Sequence, residues 1–143
     1  MSDENIDTHA HRLSAEALRR PSVAVQLAGE TYLRSILAED QIALFRVMIR
    51  DAHKFPELGH RYQLEVIETR NKLFVRYLEQ WRKREGWKLA NPERAAIIFA
   101  ALLRSDIFEN ALLGLRMPSE QEIVNHAKAS SSIILFMLKH ARL

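Results

Sequence analysis

The chain has 143 residues, 48% of them hydrophobic and 27% charged, enough for one folded domain with a real core and too apolar for a disordered chain. Its formal net charge is only +3 despite a sequence pI near 9.4, and acidic and basic residues alternate, so composition demands neither nucleic acid nor an anionic membrane. Cysteine is absent, which excludes disulfides and thiolate chemistry and fits a reducing, cytoplasmic setting.

In chain order, residues 1–13 read as a flexible, acidic leader without the apolar core of a signal peptide, followed by one helical domain over 14–143. Ser14 can cap a short helix through Arg20, which Pro21 stops. From Ser22 to Leu37 the apolar residues Val25, Ala28, Tyr32 and Ile36 recur at helical spacing. Asp40 offers an N-cap for a helix reaching Lys54, with Ile42, Phe45, Ile49 and Ala52 on one face. Pro56 forbids smooth continuation but suits the first turn of a new helix, where Glu57 complements the dipole.

That helix is expected to run to Glu85 and close at Gly86, with Leu64, Ile67, Asn71, Phe74, Leu78 and Trp81 along its stripe. Asn91 and Pro92 open the next helix, expected to extend unbroken to Leu113 before Gly114. Ser119 and Glu122 form a capping box for a last helix over Glu120–His140. No strand-like alternation occurs, and the apolar runs "AAIIFAALL" and "SIILFML" are too short to span a bilayer. The fold class is therefore all-α, a bundle of five to six helices.

The last two helices are apolar nearly all round, which one small core does not absorb. Small residues (Ala100, Ala101, Ala127, Ala129, Ser130, Ser131) allow close helix approach there. The pattern points to a homodimer that pairs these two helices.

The stretches "LFRVMIRDAHKFPELGHRY" and "NPERAAIIFAALLRSDIFENALLGLRMPSEQEIVNHAKASSSIILFML" resemble the C-terminal domain of tetracycline-repressor-type (TetR) transcriptional regulators, particularly the AefR-like subgroup. The resemblance covers Ser22 to the C-terminus. It implies an effector-binding and dimerisation domain, with a hydrophobic ligand among the central helices and a four-helix dimer bundle built from the last two. Members of the family also carry an N-terminal helix-turn-helix, and nothing in this sequence resembles it. The expectation is a domain without its own DNA-binding unit, and no direct contact with nucleic acid. The competing expectation is an interaction protein that forms a heterodimer with a full-length regulator and weakens its operator binding.

Glu57 and His60 have the Glu-x-x-His spacing of di-iron bundles, but no second such motif exists, so a dipole carboxylate and a surface histidine are the better reading. His9 and His11 lack the further ligands a zinc site needs, and His53 reads as a helix-end histidine rather than a general base. "WRKREGWK" invites base stacking, although Trp81 equally ends an apolar stripe while the cations cap its helix. No nucleophile elbow or phosphate loop occurs, and neither an enzyme nor a cofactor is expected. Asn71 is the best pocket indicator, an amide where the stripe calls for leucine. Phe45, Met48, Ile49, Phe74 and Phe99 are the expected apolar walls around it. Ile97, Ala101, Phe108, Ile133, Phe136 and Met137 are expected at the dimer interface.

Overall fold

The computed structural model describes residues 20–140 and Leu143, so the expected leader and the short helix ending at Arg20 lie outside the described residues. The described chain is all-helical, with no strand. Helix α1 spans Pro21–Leu37, α2 Glu39–Asp51 and α3 Pro56–Tyr62. A π-helical turn, Gln63–Ile67, joins α3 to α4, Glu68–Glu85. Helices α5 (Pro92–Arg104), α6 (Ile107–Leu112) and α7 (Glu120–His140) complete the bundle. None of the described helices is long and apolar enough to cross a membrane.

α1 is the central rod, packing on α2, α4, α5, α6 and α7. Val25, Tyr32, Leu33, Ile36 and Leu37 are buried along it. Gly29 marks a close approach. A Cβ there would lie 3.0 Å from Leu103 Cδ2, 3.4 Å from Phe99 Cζ and 3.5 Å from Ala127 Cβ. The missing side chain lets α1 sit directly against α5 and α7. Glu30, one residue on, is also buried. It accepts from Gln26 Nε2 at 3.3 Å and pairs with Arg34 at 3.2 Å, and Arg34 reaches on to Glu120 at 3.1 Å. The buried carboxylate is thus satisfied while the start of α7 is tied to α1.

Several helix ends form as their residues dictate. Asn91 Oδ1 accepts from the Arg94 amide at 3.0 Å, ahead of Pro92 at the first helical position. Gly86 adopts the left-handed conformation, with φ of 66°, and the Trp87 amide donates back to the Arg82 carbonyl. Phe55 is extended before Pro56, as the proline ring requires.

Other expectations need correction. Asp40 does not cap α2. Ala38 holds that position, and Asp40 accepts from the neighbouring Gln41 amide inside the first turn. α2 ends at Asp51 rather than Lys54, because the Lys54 and Phe55 amides both turn back to the Asp51 carbonyl. Ser119 Oγ does accept from the Glu122 amide, at 3.2 Å, but the Glu122 carboxylate pairs with Arg116 instead of closing a capping box.

The helix expected over Pro92–Leu113 is broken. Asp106 has φ 65° and ψ −58°, and the Ile107 amide donates to the Ser105 carbonyl at 2.7 Å. That is a γ-turn of the rare, strained type. α6 leaves it in a new direction, and Arg46 of α2 secures the far end by donating to the Ala111 and Leu112 carbonyls at 3.0–3.1 Å. These are carbonyls that the helix end leaves without intrahelical partners.

Two stability outcomes follow, both read as urea unfolding at fixed chain concentration. Gly29→Val forces methyl groups into the α1–α5–α7 contact and is expected to cost about 2 kcal/mol; a variant as stable as the parent contradicts this packing. Asp106→Gly relieves the positive φ at an exposed site and is expected to gain about 1 kcal/mol. A loss of stability there would mean that the turn is unstrained.

Candidate functional site

A cavity of about 760 Å³ opens between α1, α2, the α3–α4 rod, α5 and α6. Its size suits a drug-sized ligand. α1 contributes Tyr32 and Ile36, one and two turns beyond the Gly29 contact, and α2 contributes Phe45. The π-turn and its neighbours supply Tyr62, Gln63, Ile67, Arg70, Asn71 and Val75. A π-turn inserts one residue relative to a regular helix and rotates what precedes it, and such turns recur at functional sites. Here it allows Tyr62 and Gln63 at its start, and Ile67 at its end, to face the same space.

On the opposite side, Ala100 and Ala101 of α5 have little side chain to fill the space, and Phe108 closes it from α6. The aromatic walls touch one another: Phe45 lies 5.1 Å from Phe108, edge on, and 6.0 Å from Tyr62, centroid to centroid. The strained turn at Asp106 is what brings Phe108 back over α2. A straight continuation of α5 would carry it elsewhere.

Polar groups punctuate this apolar lining. Arg104 lies over the Phe108 ring, 5.2 Å from its centroid, and lines the cavity together with the Tyr32 hydroxyl, on which its cation acts. Arg70 donates to Gln41 Oε1 at 2.7 Å. Burial pushes the Tyr32 hydroxyl above the ordinary phenol value, against the opposing pull of the Arg104 and Arg70 cations. Tyr32 therefore remains a neutral O–H. Glu93 and Glu109 stand exposed at the lip of the cavity, and Glu68 is half-buried.

The residues expected from sequence separate into groups. Phe45 and Asn71 line the cavity together. Phe74 and Phe99 are buried in the core beside it, 4.7 Å apart and edge on, with the Tyr32 ring tilted against Phe74 at 5.3 Å. Met48 and Ile49 lie outside the lining, and Ile49 is 61% exposed, because α2 presents Phe45 rather than its last turn to the cavity. Of the residues expected at a dimer interface, Ile97, Ala101, Ile133 and Phe136 are exposed and Met137 half-buried, whereas Phe108 is buried against the cavity. Ile97 and Ala101 border the cavity as well.

Other candidates resolve simply. Glu57, His60 and His53 are exposed, and no three His, Asp or Glu side chains gather as a metal would require among the described residues. Trp81 is 1% exposed with Arg84 stacked on its ring, so its face is closed to a nucleic-acid base. His9 and His11 lie outside the described residues.

Sequence reasoning missed Tyr32, Arg70 and Arg104 as lining residues. Tyr32 looked like one more member of a core stripe. Arg104 carried a usable signal, a cation set within "FAALLRSDIF" with apolar residues on both sides.

Compared with known proteins, residues 23–138 match the family model of the AefR-like transcriptional repressor, C-terminal domain, a non-enzymatic regulatory family. No curated protein and no solved structure matches the chain. The match spans most of the chain and the whole helical bundle from α1 to α7, with the cavity at its centre, and the chain belongs to the family of AefR-like, TetR-type repressor C-terminal domains.

Proposed function

We propose that this domain is the effector-binding and dimerisation part of a transcription regulator. A small molecule with an apolar body occupies the cavity, and two copies pair through α5 and α7. The observation that carries this reading is the double role of α5. Ile97 and Ala101 border the cavity and remain solvent-exposed, so the same face of α5 serves the cavity and the molecular surface. Ile133 and Phe136 of α7, 48% and 66% exposed, add apolar area that a second copy would cover.

A ligand in the cavity presses on α5 and α6, and thereby on the surface that meets the partner. The ligand acts by population shift: it favours whichever tilt of these helices leaves room for it, by its difference in affinity for the two states. The altered tilt passes to the DNA-reading head attached to the dimer or paired with it.

Light scattering of the purified chain tests the dimer. A homodimer is expected, with Phe136→Asp and Ile133→Asp shifting it to monomer while circular dichroism stays helical. A parent chain that is monomeric at tens of micromolar sinks the homodimer. If that monomer pairs with a full-length relative on mixing, the exposed face serves a heterodimer instead. For the ligand, mass spectrometry of natively purified protein is expected to find a small molecule with an apolar body released on denaturation.

A further inference from the structure

The cavity has walls suited to an apolar body, and its half-buried polar groups include two cations, Arg70 and Arg104, beside the buried Tyr32 hydroxyl. Neither forms an ion pair with a described carboxylate. A guanidinium carries five N–H donors. Arg70 uses one on Gln41, and Arg104 lies over the Phe108 ring and beside the Tyr32 hydroxyl. Arginine can only donate, whereas the neutral Tyr32 hydroxyl beside it can donate its own proton to an acceptor in the cavity. Two under-used guanidinium forks and one phenolic O–H therefore face the same space.

We infer that the effector is an amphipathic monoanion, a carboxylate on an apolar body, with its charged end held by Arg70, Arg104 and Tyr32. This rests on reading the cavity as the effector site. The planar guanidinium fork matches a carboxylate edge, and a partly buried charge-assisted contact is stronger than a neutral one. The remaining walls, Ile36, Phe45, Ile67, Val75 and Phe108, take the apolar body.

The charge of the lining argues for one negative charge rather than two. Arg70, Arg104 and Lys72 are balanced by Glu68, Glu93 and Glu109. A phosphate dianion would meet these three acids as repulsion. A cationic ligand is disfavoured for the opposite reason: Glu93 and Glu109 are exposed at the lip, whereas the charges acting on the inner Tyr32 hydroxyl are those of Arg104 and Arg70.

Calorimetric titration of the full chain with decanoate, decanol and decylammonium, each below its micellar concentration, tests the inference. Decanoate is expected to bind at least tenfold more tightly than decanol, with decylammonium weakest. Arg104→Gln and Arg70→Gln should each weaken decanoate roughly tenfold and leave decanol unchanged, as loss of a charge-assisted hydrogen bond predicts. Tyr32→Phe should show a smaller loss, and added salt should weaken decanoate alone. Thermal melts confirm that each variant is folded, and two arginine variants guard against one failing to fold. Decanol or decylammonium binding as tightly as decanoate, or decanoate indifferent to both arginine substitutions, overturns the anion preference and leaves the sensor reading standing. If none of the three binds, the inference and the sensor reading fall together.

Discussion

The close approach of α1 to α5 and α7 at Gly29 sets the geometry of the whole domain. Three helices meet where one residue has no side chain, and the small Ala127 of α7 faces it. Interiors packed at crystal-like density move as units, so this crossing fixes α1 in place. Beyond it, Tyr32 and Ile36 reach a region where the helices separate and space opens. The domain is dense at one end of α1 and hollow at the other.

The hollow end depends on irregular backbone rather than on unusual side chains. A π-turn in the α3–α4 rod and a γ-turn between α5 and α6 break regular geometry on opposite sides of the same cavity. Each departure costs local stability, and each redirects an aromatic residue, Tyr62 in one case and Phe108 in the other. Arg46 helps to hold the second departure in place, since its bonds to Ala111 and Leu112 anchor the end of the short α6 to α2. Strain of this kind persists only where the surrounding structure over-determines it.

Most helix starts and stops were legible in the sequence because their causes are local. Pro56 and Pro92 open helices, Asn91 caps one, and Gly86 and Gly114 close others with positive φ, while Pro21, read as a stop, opens α1. The break at Asp106 was not legible. The apolar pattern runs through it, no glycine or proline marks it, and an L-residue was forced into a conformation that only tertiary packing explains. The π-turn was hidden for a related reason, since Leu64 and Ile67 lie within it and the stripe from Leu64 to Trp81 still keeps steps of three and four.

The cavity was partly legible. Asn71 stood out as an amide among apolar positions, and Phe45 followed from its helix face. Tyr32 did not stand out, because a buried tyrosine has the same spacing whether it fills a core or borders a void. Arg70 resembled an ordinary surface charge, and both it and Arg104 are distinguished by half-burial in the lining without an ion pair to a described carboxylate.

The π-turn also stores length. A helix carrying one surplus residue can pass that surplus along its axis, each step exchanging one wide turn for a regular one. The hydrogen-bond inventory stays nearly constant during such a step, while each residue passed swings by about 100° around the axis. In the α3–α4 rod, one such step from Gln63–Ile67 would withdraw one side chain from the cavity wall and present its neighbour. Such a step would change the cavity wall while the backbone of the rod stays helical.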